Sequence, residues 1–185
     1  MSFSKEIKRI LLEQSPLIND EIILEVFRYQ YRYNAIYQTY CDAIGRQPQG
    51  VDNFSLIPFL PIAFFKNYTV QTSERPVIPV PETVFYSSGT TSANRSAHYV
   101  ADPEFYKDRS RQIFESYYGS LSGYIILAVL PSYEENPGSS LIYMLRHFIA
   151  GTQHAASGFY SFNRDTIRQT MKELSAEKRK ILVWG

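Results

Sequence analysis

Seven apolar residues in a row, Tyr124-Ile125-Ile126-Leu127-Ala128-Val129-Leu130, stand between Gly123 and Pro131. A run so short and unbroken has strand length, and a strand that is apolar at every position is covered on both of its faces. Pro131 ends it, because proline has no N–H to continue a ladder. This strand predicts an α/β layer: a mostly parallel sheet with flanking helices.

The neighbouring segments alternate as that layer requires. Thr83-Val84-Phe85-Tyr86 and Ala97–Val100 have strand character, and Lys180-Ile181-Leu182-Val183-Trp184 is a last strand. Asp102-Pro103 offers an N-cap followed by proline at the first helical position, predicting a helix to Tyr118 that stops at Gly119. Ser139 or Ser140 starts a further helix to about Ala150, with Gly151 as its stop. Residues 164–176 carry Ile167, Met171 and Leu174 on one stripe.

Two different regions precede this core. Residues 1–45 are helical: Ser4 caps a short helix through Ile7, Ile10 and Leu11, and Pro16 interrupts it. From an N-cap at Asn19 or Asp20, one helix then runs through Ile22, Val26, Tyr29, Tyr33, Ile36 or Tyr37, Tyr40 and Ile44 to a stop at Gly45. Tyr31 makes five tyrosines within 29–40, more than one narrow stripe buries, so some are expected at the surface. The aromatic face is expected to cover the α/β core; the alternative is a docking surface for a partner. Residues 46–82 hold six of the ten prolines yet include the greasy run Ile57-Pro58-Phe59-Leu60-Pro61-Ile62-Ala63-Phe64-Phe65. They predict a packed connector with a short helix opening at Pro61, followed by the core at 83–185.

Composition narrows the function. Lys plus Arg at 19 against Asp plus Glu at 18 leave a net charge of +1, which gives no footprint for nucleic acid or an anionic surface. One cysteine, Cys41, excludes an internal disulfide and a cysteine-built zinc site; it is expected to be packed and inert. His147 and His154 lack supporting ligand spacing, so no metal site is expected. With no secretory apolar run at the start and no apolar stretch near the ~20 residues that span a bilayer, the chain is expected to be cytoplasmic.

The chemistry concentrates in Ser87-Ser88-Gly89-Thr90-Thr91-Ser92, which follows a strand and sets five hydroxyls around one glycine. Glycine permits a tight turn and close approach of a ligand, and successive N–H groups form an anion-binding nest. Arg95 adds positive charge. The run has no Gly-x4-Gly-Lys pattern and no glycine at Tyr86, so it is neither a Walker loop nor a nucleophile elbow. On residue chemistry alone it is either a phosphate grip or an ordinary hairpin turn.

Tyr86-Ser87-Ser88-Gly89-Thr90-Thr91 resembles the phosphate loop of adenylate-forming enzymes. Taken with Ile57–Pro61 and Phe65-Lys66, Arg95-Ser96, Leu130-Pro131-Ser132-Tyr133 and Ser139–Met144 in the same order, it resembles more closely the LuxE-type acyl-protein synthetases. That resemblance covers about Pro58 to the C-terminus. It implies the N-terminal part of an adenylate-forming fold and the ATP-dependent activation of a carboxylic acid, expected to be fatty, as acyl-adenylate, with Mg²⁺, for transfer to a thiol. It assigns Ser87, Ser88, Gly89, Thr90 and Thr91, with Arg95 nearby, to the ATP phosphates. It also implies an acyl-acceptor or reductase protein as partner.

The match has departures: Ser92 stands where the superfamily usually has glycine, and Arg95 where it has lysine. No adenine-binding segment, catalytic lysine or acceptor cysteine is matched before Gly185. The chain is therefore expected to be a fragment, inactive alone, with its catalytic residues unassigned. His98 is a possible substrate-side residue, though a structural role is the plainer reading, and the polar turn Tyr133–Gly138 lies where a ligand crevice is expected. The alternative to an enzyme is a non-catalytic module that docks a partner or binds nucleotide.

Overall fold

A computed structural model describes residues 3–13, 19–74, 83–87, 95–130 and 138–185. The elements among them run α1 (Phe3–Glu13), α2 (Asp20–Tyr33), α3 (Ala35–Ala43), α4 (Phe64–Asn67), β1 (Thr83–Tyr86), β2 (Ala97–Val100), α5 (Pro103–Tyr118), β3 (Tyr124–Ala128), α6 (Ser140–Thr152), β4 (Gly158–Phe159), α7 (Arg164–Glu173) and β5 (Lys180–Trp184). They fall into two units, Met1–Arg109 and Ser110–Gly185. The three sequence regions divide the chain elsewhere, since 1–45, 46–82 and the start of 83–185 share the first unit.

In the second unit β3 lies between β4 and β5, parallel to both, with Ile125 beside Ile181 and Leu127 beside both Val183 and Gly158. All five β3 residues are buried, and their alternation divides the core. Tyr124 and Ile126 join Phe114, Leu121 and Phe148, with Met144 and Trp184 packed alongside. Ile125 and Leu127 join Leu174, Ile181 and Tyr160 on the opposite side. Helical residues thus cover both faces, as the apolar run requires.

The α/β class and a small parallel sheet are therefore present, but β1 and β2 are not part of that sheet. They form a separate antiparallel pair in the first unit. The two-residue β4 is too short to leave a periodic signal in the sequence.

Three helix ends follow the sequence closely. Asp102 accepts the Phe105 N–H at 2.9 Å, and Gly119, at φ 86°, takes the left-handed conformation that stops α5. Ser139 caps α6 by accepting the Ile142 N–H. Gly151 does not stop α6: the helix continues to Thr152 and ends with Gln153 at φ 51°. A Cβ on Gly151 would meet Leu121 Cδ1 at 2.9 Å, and Leu121 is fully buried. This glycine is there for close packing inside a helix.

The N-terminal reading changes more. α1 begins at Phe3, so Ser4 is itself helical, and Pro16 lies outside the described residues. The helix expected from Asn19 to Ile44 breaks at Asn34. Asn34 leaves helical geometry at φ −124°, ψ 99°, and its side chain accepts the Tyr37 N–H at 3.1 Å, capping α3. Its amide also donates to Thr72 Oγ1 at 3.3 Å. A side chain that completes two backbone-ordering contacts outweighs the roughly 0.6 kcal/mol of helix propensity at one position.

The break spreads the tyrosines over several directions. Tyr37 is buried and donates to the Pro58 carbonyl at 2.6 Å. Tyr31 donates to Asp42, Tyr29 packs on Tyr33, and Tyr40 packs edge-on against Phe64. All five are buried or half-buried, contrary to the expected exposure. Tyr31, Tyr37 and Tyr40 pack with the connector: Phe27, Tyr37, Cys41 and Val51 form a core with Leu56, Ile57 and Leu60. Within the same unit Lys8 pairs with Asp102 at 2.7 Å and Arg109 donates to the Leu11 carbonyl, holding α1 to the start of α5.

Candidate functional site

The expected phosphate run sits on the β1–β2 hairpin. Thr83 pairs with Val100 and Tyr86 with Ala97, so residues 88–94 connect neighbouring antiparallel strands. Beyond the last pair, the Ser87 N–H donates to the Ser96 carbonyl at 3.0 Å, and the Ser96 N–H donates to Ser87 Oγ at 3.0 Å. Ser96 is buried, so this double clamp is shielded from competing water. It fixes where the connecting segment leaves the strands and where it returns.

Of the residues assigned to phosphate, the structure describes Ser87 and Arg95, which flank the segment at the hairpin end. Ser88, Gly89, Thr90 and Thr91 lie outside the described residues. The clamp already uses an oxygen lone pair of Ser87, while its O–H remains able to donate. Arg95 is half-buried and engaged in the structure.

His98 stands on β2 opposite Phe85, with its ring stacked on Phe65 at 4.5 Å and 23°. Phe85 packs on Tyr106 of α5. His98 is thus stacked on Phe65 and exposed to solvent.

Cys41 is fully buried in α3, and burial pushes its thiol above the ordinary range, which disfavours the nucleophilic thiolate. Burial likewise raises the Tyr37 phenol. His154 accepts the Ala156 N–H at Nδ1 and faces Glu177 at 3.7 Å. Among the described residues, no group of three His, Cys, Asp or Glu side chains is arranged to hold a metal ion. Among them, too, no helix is long and apolar enough to cross a membrane.

The chain has no match among protein-family models, curated proteins or solved structures. Its functional reading rests on its own residues.

The feature that sequence reasoning missed is a cavity of about 680 Å³ in the first unit. Phe27, Tyr37, Pro58 and Val70 are buried in its wall, with Tyr99 and Phe65 beside them. One signal for it was present: the uncertain step between Ile36 and Tyr37 in the helical stripe marks the break that turns α3 away from α2. The turn Tyr133–Pro137 lies outside the described residues, leaving Gly138 as the described end of that expected crevice.

Proposed function

We propose that this chain carries the phosphate-binding loop of an enzyme that activates a carboxylic acid with ATP, forming an acyl-adenylate for transfer to a thiol. The observation that carries the reading is the Ser87–Ser96 clamp beneath a segment of sequence Ser-Gly-Thr-Thr-Ser-Ala-Asn. A short glycine-containing segment with fixed ends presents backbone N–H groups and hydroxyls at little further ordering cost.

In this reading the hydroxyls of Ser88, Thr90 and Thr91 and the backbone about Gly89 hold the β- and γ-phosphates. Arg95 supplies positive charge nearby, and Ser87 chiefly positions the loop. The carboxylate oxygen attacks the α-phosphorus. The bond to the bridging oxygen breaks, and pyrophosphate leaves with the electron pair. Attack by a thiolate on the acyl carbon then releases AMP. The residues present suit ATP phosphates, which hydroxyl and N–H donors recognise. Magnesium would come with ATP and would offset phosphate charge there.

The test is MgATP binding by this chain, together with carboxylate-dependent return of labelled pyrophosphate into ATP by the protein as its natural gene encodes it. A Ser88→Ala plus Thr90→Ala variant is expected to lose both. Full MgATP affinity in that variant would refute the role of the loop. MgATP binding without exchange for any fatty, aromatic or amino acid would favour a nucleotide-binding module instead.

A further inference from the structure

Helix α7 is anchored to its unit from one side only. Leu174, directly after it, enters the core with Ile125 and Leu127. Within the helix only Ile167 and Thr170 are half-buried, and the other eight of its ten residues are exposed. Its start is fixed by Asn163, which accepts the Asp165 and Thr166 N–H groups at 3.0 and 3.1 Å.

The exposed side is sorted by chemistry. Arg164, Arg168 and Lys172 repeat every four residues, and Ile167 and Met171 form the neighbouring row, so cations and apolar groups share one face. Glu173 falls on the far side of the helix and accepts from Gln169 at 2.8 Å. Asp165 stands in the first turn, where the helix dipole favours an acid. Exposed cations of other helices find an acid within their own helix: Arg9 pairs with Glu13, Arg28 with Glu25 and Arg111 with Glu115. Among the described residues, Arg164, Arg168 and Lys172 have no such pair. The near-zero net charge of the chain conceals this face, because exposed charges more than about 8 Å away are screened at physiological salt.

The face extends past the helix start. Phe162 precedes the Asn163 cap, a position from which an apolar side chain usually folds back onto the fourth helical residue, here Ile167. At 74% exposed, Phe162 instead leaves most of its ring in solvent, and Met171 is 42% exposed one turn beyond Ile167.

This pattern selects the partner. Cations beside exposed aromatic and aliphatic groups match the boundary between anionic headgroups and acyl chains, where long basic side chains keep their charge in the headgroup layer. A protein groove that encloses a helix needs it free on most sides, whereas α7 is held through Leu174 and offers one side. We propose that α7 and Phe162 form a membrane-surface contact. The helix lies along an anionic bilayer, with Phe162, Ile167 and Met171 at the acyl boundary and Arg164, Arg168 and Lys172 among the headgroups. The contact is peripheral and reversible, and it does not depend on the adenylation reading.

The test is cosedimentation of the 185-residue chain with phosphatidylcholine vesicles, either pure or containing phosphatidylglycerol as about a third of the lipid. Partition onto the anionic vesicles is expected to exceed that onto the neutral ones by about ten-fold or more and to fall with added salt. Replacing Arg164, Arg168 and Lys172 together with alanine is expected to weaken binding about five-fold per residue removed. Phe162→Ala plus Met171→Ala is expected to weaken it several-fold. These side chains are exposed and alanine favours helix, so circular dichroism is expected to be unchanged. Lys5→Ala plus Arg46→Ala plus Lys66→Ala removes equal charge from exposed positions elsewhere and is expected to bind as the parent does.

Equal partition onto both kinds of vesicle would overturn the proposal, as would parental binding by the triple α7 variant. An equal loss in the control would also overturn it, by reducing the effect to net charge. Two further outcomes would give the face to another partner. Capture by soluble polyglutamate without vesicle binding would make that partner an acidic protein, and a dimer in sedimentation equilibrium that Met171→Asp splits would make it a second copy of the chain.

Discussion

Replacing Asn34 with alanine asks whether α2 and α3 are two helices or one. If the chain preferred a continuous helix, alanine would stabilise it by about 0.6 kcal/mol, the difference in helix propensity. The structure predicts the opposite sign. Alanine removes the cap on the Tyr37 N–H, and because Asn34 is only 6% exposed that loss falls near the upper end of the usual range, about 1.5–2 kcal/mol. It also removes the hydrogen bond to Thr72, worth about 1 kcal/mol. The expected destabilisation is about 2–3 kcal/mol, read by urea unfolding followed by far-UV circular dichroism. Asn34→Ser keeps a capping oxygen and should recover more than half of that. Thr72→Val alone should cost about 1 kcal/mol, and the double variant should be less than additive. A stabilised Asn34→Ala chain would refute the break and return the single helix.

Other outcomes follow from features already described. Gly151→Ala should destabilise the second unit by about 1 kcal/mol, since crowding Leu121 costs more than the gain in helix propensity; a rise in thermal midpoint would contradict the close packing. Ser87→Ala should accelerate hydrogen exchange at the Ser96 amide, the donor it leaves buried and unpaired, consistent with a loss of about 1–2 kcal/mol; unchanged exchange would remove the clamp. Burial raises both the Cys41 thiol and the Tyr37 phenol, so the folded chain keeps these protons to higher pH than the unfolded chain. Their contribution is complete below about pH 8.5 and falls as pH climbs through the folded values, so denaturation midpoints should decline on that limb, and a flat profile would argue against it. Asp102 works in the other direction: burial pushes its carboxyl up, but Lys8 and the Phe105 N–H outweigh that and lower it. At 37% exposure its side chain contributes at most about 1 kcal/mol, lost as pH falls through the depressed value, and Lys8→Met should abolish most of that acid-limb change.

How much the sequence disclosed depended on whether the deciding contact was local. The apolar run of β3, the Asp102-Pro103 start and the Ser139 cap are each decided within a few residues, and each stands where it was read. Gly119 likewise stops its helix through its own backbone. Gly151 has the same local signature, yet its neighbour is Leu121, thirty positions away, and no window of sequence contains that contact. Asn34 is a good cap by residue type, but the stripe of tyrosines on either side carried the helical pattern through it. Its Thr72 partner lies in the connector. Beyond the break that the Ile36–Tyr37 step marks, the cavity is not legible in the sequence, because its wall is assembled from α2, α3, residues 54–72 and the end of β2. For the hairpin, the strands were visible as strands, but their antiparallel partnership apart from the main sheet was not.

The packing of Trp184 has a practical consequence. It is the only tryptophan, and its ring meets Phe148 edge-on at 6.4 Å, inside the cluster around Ile126. Tyr31, Tyr37 and Tyr40 belong instead to the other unit's core. Light absorbed by indole alone therefore reports on the parallel sheet, while tyrosine absorbance reports on both units, with nine of the fifteen tyrosines before residue 110 and six after it. One channel thus belongs to the second unit alone and the other to the whole chain, so a difference between the two melts needs no added dye to tell whether the sheet unfolds together with the rest or in turn.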